Sequence, residues 1–147
     1  MNFSDLRSIL QYVPQFRGRT FVVALDGSVI DSRDFSNILL DIAVLRSLNI
    51  KVVLVHGAAA QIEALGSKRN VPLSNLDGTG TTDEATLEVS MDAITRLSNS
   101  VMQSLTTVKL KAATANAIHA HPAGIIKGID TGFTGTIEKI DSSVLQS

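Results

Sequence analysis

Apolar positions change period several times along this chain, and each change predicts an element. Residues 4–13, SDLRSILQYV, place Leu6, Ile9, Leu10 and Val13 at helical spacing behind Ser4, a plausible N-cap, and Pro14 is expected to stop the helix. TFVVAL, 20–25, is continuously apolar and reads as a buried strand. From Asp34 to Leu48 the period turns helical, with Phe35, Ile38, Leu39, Ile42, Ala43 and Leu45 on one broad face and Asn49 fit for a left-handed C-cap. KVVLV, 51–55, is a second buried strand, and AAQIEALGSKR supplies the next helix, closed by Gly66 or by the basic residues after it. Strand, helix and strand with short joins make a βαβ unit. At Asp26-Gly27 two readings compete: a type I′ hairpin turn, or a loop into the next helix.

Residues 71–81 are turn-rich and suit a hairpin or flap. Thr81 and Glu84 then form a capping box for a helix over about 83–103, whose stripe of Leu87, Met91, Ile94, Leu97 and Val101 is long for so small a domain and suggests a partner surface. ANAIHAH alternates as a strand, and GFTGTIEKI as a hairpin arm. No closing element is evident in IDSSVLQS.

Composition narrows the class. With 147 residues, 44% hydrophobic and 18% charged, the chain is the size of one globular domain. Val, Ile, Leu and Ala outweigh five Phe and one Tyr, which favours α/β layers. A net charge of −1 leaves out the basic face of a nucleic-acid binder. Absence of cysteine excludes disulfides and thiolate metal sites. The N-terminus has no signal-peptide core, and no apolar run reaches the ~20 residues of a membrane span, so a cytoplasmic location is expected.

Candidate chemistry gathers at VVLVHGAAAQIEAL, 52–65. A helix N-terminus exposes unpaired N–H groups, and the small residues Gly57 and Ala58 to Ala60 would let a carboxylate or phosphate approach them. The same pattern equally suits a tight βα turn built for packing. His56 ends the strand, where open α/β sheets place ligands, although such a His more often bonds its own loop. His119 and His121 share a strand face but lack a third ligand at matching spacing, so no metal is expected. No nucleotide-binding glycine motif or nucleophile elbow is present.

Three stretches in order, FRGRTFVVALDGSVI (16–30), VVLVHGAAAQIEAL (52–65) and TTDEATLEVSMDAI (81–94), resemble the amino-acid kinase fold of acetylglutamate kinases. They resemble more closely the kinase-like domain of bacterial N-acetylglutamate synthases. LRSILQYVPQFRGRTF is similar to the N-terminal helix of arginine-responsive members, and AHPAGIIKGIDTGFTGTIEKID to a later hairpin region. The resemblance implies a three-layer α/β/α fold with a mainly parallel sheet, present as the N-terminal lobe only. Residues 1–15 would be the N-terminal helix and 16–147 the lobe, with Asp26-Gly27 in a strand–loop–helix at the phosphate site. By that resemblance, kinases of the family carry Lys where Ala24 stands, Gly-Gly where Asp26-Gly27 stand, a His-Gly-Gly-Gly loop where this chain has Gly57-Ala58-Ala59-Ala60 after His56, and a substrate-gripping Arg where Gly80 stands. Losing that cation, and adding the Asp26 carboxylate, removes most of what a protein contributes to phosphoryl transfer.

The resemblance therefore implies no catalytic residue in this segment. It implies a regulatory and oligomerisation domain of arginine biosynthesis, with acetyl-CoA and acetyl transfer belonging to a separate acetyltransferase domain that this sequence does not include. Gly27, His56, Gly57 and Ala58 are the candidates for an anion, as in arginine or a glutamate-like ligand. Tyr12 is the candidate effector residue, and Leu87, Met91, Ile94 and Leu97 are candidates for a homo-oligomer interface. The rival expectations are a surviving acylamino-acid kinase and a stand-alone amino-acid-binding module.

Overall fold

The computed structural model describes residues 14–74 and 80–145, so the expected first helix at 4–13 and residues 75–79 of the 71–81 flap lie outside the described residues. Pro14 to Phe16 are helical, and the chain turns at Arg17-Gly18 rather than at the proline, whose fixed φ suits a helix. Strand β1 (Thr20–Leu25) then leads into a single helical turn, α1 (Gly27–Ile30), and a longer helix, α2 (Phe35–Ser47). Asn49, at φ 61, turns the chain into β2 (Lys51–His56), as the left-handed C-cap reading required. β1 and β2 are parallel and in full register, from Thr20 beside Lys51 to Leu25 beside His56. The strand–loop–helix reading of Asp26-Gly27 therefore replaces the hairpin.

Alternation in the two strands decides what they bury. Leu25, Val52 and Leu54 pack onto a core of Ile30, Phe35, Leu39, Ile42 and Ala58 with Leu97, Val101 and Leu105. Each of the buried Ile, Leu, Val and Phe side chains contributes about 1.5–3 kcal/mol relative to exposure. The opposite face is not covered among the described residues: Val22 is 66% exposed and Val55 44%. Continuous apolar character predicted strands buried on both sides. One helical layer is present here, so alternate residues remain open.

Helix α3 (Ala59–Arg69) follows β2 and ends on Asn70 at φ 55. Gly66, expected as a closing residue, lies inside the helix, where Leu73 covers it so closely that a β-carbon would lie 2.9 Å from Leu73 Cγ. Helix α4 (Glu84–Thr107) crosses α3, and an ion pair joins Arg69 to Asp92. Its cap is Asp83 rather than the Thr81–Glu84 box: Thr86 N–H donates to Asp83 Oδ1 at 2.8 Å, and the Asp83 N–H donates to Ser74 Oγ at 3.0 Å. Thr82 is used elsewhere. It bridges Gly132, donating from its N–H to Thr131 O (3.1 Å) and accepting from Phe133 N–H (2.9 Å).

That bridge fastens the C-terminal hairpins to the start of α4. Strand β3 (Ile118–Pro122) pairs antiparallel with β6 (Gly135–Ile140), and the short β4 (Ile125–Ile126) with β5 (Ile129–Asp130). At φ +60, Gly132 fits under Thr82, where a β-carbon would come within 2.4 Å of the Thr82 carbonyl oxygen. The β3–β6 ribbon presents Ile118, Ile137 and Ile140 to solvent. Two strands alone are marginal in water.

Candidate functional site

Two βα turns meet at the C-terminal ends of β1 and β2. In the first, Asp26 caps α1, accepting from Ser28 N–H (2.8 Å) and Ser28 Oγ–H (2.7 Å). These two hydrogen bonds hold its carboxyl below the ordinary carboxylate value, so the turn keeps a negative charge. In the second turn, Ala58 begins α3 without any side-chain cap, which leaves the first-turn N–H groups of α3 without the usual capping oxygen. Gly57 N–H donates to Leu25 O at 3.0 Å and closes the two turns on each other. Gly27 makes the closeness feasible, since a β-carbon there would lie 2.8 Å from Gly57 O and 3.0 Å from Ala58 Cα.

His56 is half-buried at the rim. Its Nδ1 faces the Gly57 carbonyl at 3.2 Å and its Nε2 faces Ser98 Oγ of α4 at 3.4 Å. A neutral ring protonated on Nδ1 satisfies both contacts, donating to the carbonyl and accepting from the hydroxyl. His56 thus bonds its own loop and also ties it to α4. Gly27, His56, Gly57 and Ala58 lie together at these turns. Ala24 ends in a methyl group, so it brings no cation to these turns.

The other candidates separate. Leu97, at 3% exposure, belongs to the interior and not to an outer face. Successive spacings of four, three and four place Leu87, Met91, Ile94 and Ser98 on one side of α4, whereas Leu97 turns toward α2 and the core. Met91 is 61% exposed and Ile94 44%, with Leu87 half-buried. This apolar stripe runs along α4 to the His56–Ser98 contact. Tyr12 lies outside the described residues. His119 and His121 lie on exposed β3 opposite Lys139 and Thr136. No group of three metal-ligating side chains is present among the described residues.

Two contributors were missed from sequence. Gln61 reaches from α3 to Gly27 O and Asp31, and Ser98 reaches His56. Partners 34 and 42 residues away leave no local spacing signal.

With this geometry in hand, known proteins give the class. The model of the Amino acid kinase family matches residues 19–147, and the chain belongs to that family. Within it, the chain corresponds to the N-terminal kinase-like domain of N-acetylglutamate synthases. It is 37% identical over 145 residues to the amino-acid acetyltransferase of Haemophilus ducreyi, covering 95% of this chain and 33% of the relative. It is 34% identical over 145 residues to that of Pseudomonas fluorescens Pf-5, covering 92% and 34%. The N-acetylglutamate synthase of Neisseria gonorrhoeae, complexed with coenzyme A and N-acetyl-glutamate, superposes with a TM-score of 0.83 at 26% identity, over 99% of this chain and 34% of that one. Its complex with coenzyme A and L-arginine gives 0.80 at 25%, over 99% and 36%. The chain spans about a third of the length of these relatives. No helix among the described residues is long and apolar enough to cross a membrane.

Proposed function

We propose that this segment is a non-catalytic regulatory and assembly domain of an N-acetylglutamate synthase, inactive as a kinase. The observation that carries the reading is the charge at the paired turns. A methyl group stands at Ala24, where the kinases it resembles carry an ammonium, and the Asp26 carboxylate, held ionised by Ser28, caps the adjoining turn. Phosphoryl transfer depends on fixed positive charge around the migrating group, and like charge there opposes it. The uncapped start of α3 beside Gly57 still suits one carboxylate of a small acidic or amino-acid ligand. The related synthase complexes hold N-acetyl-glutamate and L-arginine, which supports a ligand of that class. Acetyl-CoA chemistry is assigned to polypeptide beyond this segment. Leu87, Met91 and Ile94 are the surface through which copies associate.

Thermal melting with N-acetyl-L-glutamate or L-arginine tests the ligand claim. At about 100 times its dissociation constant a ligand adds about 2.7 kcal/mol, which moves a melt readily. Light scattering should give a dimer or larger assembly. No shift with either compound, together with a monomer, would remove the regulatory reading.

A further inference from the structure

Gln61 does something the sequence did not announce. From the first turn of α3 its Nε2 donates both to Gly27 O at 2.8 Å and to Asp31 Oδ2 at 2.6 Å, across α1. Its Oε1 is buried with no hydrogen-bond partner. That oxygen lies against Gly27, where a β-carbon would come within 2.3 Å of it. Turning the amide over would point Oε1 at a carbonyl and a carboxylate, three acceptors with no proton between them, so the orientation is forced. Buried acceptors are rarely left unpaired in native structures. Here the side chain leaves one orphaned and uses both N–H groups to hold α1 against α3.

We propose that Gln61 is a positioning residue that locks the two turns into one rigid cradle, fixing the separation of the Gly27 and Gly57 backbones. It rests on the reading of those turns as the ligand site, and acts through them rather than by touching ligand. Conservative loss of the amide frees α1 from α3 while the hydrophobic core beneath stays packed.

Amide hydrogen exchange on the 147-residue chain tests this without any ligand. In Gln61→Leu, protection factors at Val29 and Gly57 should fall about tenfold, the size expected when hydrogen bonds to a carbonyl and a carboxylate are lost. Protection at Val101, in the middle of α4, should be unchanged. Gln61→Glu should match Gln61→Leu, because the introduced carboxylate offers no N–H donor to the Gly27 carbonyl and faces the Asp31 carboxylate. If Gln61→Leu does not fold, the near-isosteric Gln61→Glu decides alone. An equal fall at all three amides, no fall, or full protection at Val29 and Gly57 in Gln61→Glu would overturn the proposal. A melt unmoved by N-acetyl-L-glutamate with the exchange pattern intact would instead count against the ligand reading.

Discussion

At the paired turns, single atoms decide what can fit. Gly27 leaves room for the Gly57 carbonyl and the Ala58 backbone, both of which a methyl group would displace. Gly27→Ala should therefore cost about 1–3 kcal/mol, the range for overpacking a tight site, read as a lower urea midpoint at unchanged slope. An unchanged midpoint would mean the turns can part freely. Asp26, Asp83 and Asp141 each cap a turn or helix, and hydrogen bonds from Ser28, Thr86 and Ser143 hold their carboxyls below the ordinary value. The sign follows: folded carboxyls that bind protons less readily than unfolded ones add stability above the unfolded pKa of about 3.9, and lose it as pH falls through their lower folded values. An acid titration of stability should thus be flat from neutrality to about pH 5 and decline below about 4, less steeply in Asp83→Asn. The caps were partly legible. Ser28 two residues after Asp26 is a local signal, but Asp83 caps α4 in place of the Thr81–Glu84 box, and Thr81 Oγ1 donates instead to Asp130 O across the hairpin at 3.3 Å.

Helix α4 shows where periodicity informs and where it misleads. Its existence followed from the spacing of Leu87, Met91, Ile94, Leu97 and Val101. Which of these faced inward did not, since helix faces differ by small angles and the core residues of α2 that share their cluster are far off in sequence. Leu97→Ala should cost about 2–5 kcal/mol by opening the core between α2 and α4. Met91→Ala should stay within about 0.5 kcal/mol for the isolated chain while shifting the assembly toward monomer on light scattering. Equal costs at the two positions would contradict the division drawn here. The strands teach a similar lesson. β1 and β2 read as buried on both faces, but Val22 and Val55 remain open because, among the described residues, helices cover one face of the pair.

For the whole molecule, the βαβ start, the long helix and the later hairpin were readable because each carries its own period, and the order of their motifs pointed to the amino-acid kinase fold. What was hidden are the contacts that join them: Thr82 to the hairpin, Ser98 to His56 and Gln61 to α1, all across long sequence separations. On the proposed reading, the paired turns keep the backbone of a phosphate site while Ala24 and Asp26 withhold its positive charge. That is the central claim, and one assay meets it directly. The purified chain is incubated with ATP, magnesium and N-acetyl-L-glutamate, and acyl phosphate is trapped with hydroxylamine. The account predicts no hydroxamate above the rate without protein; steady formation that scales with protein concentration would contradict it.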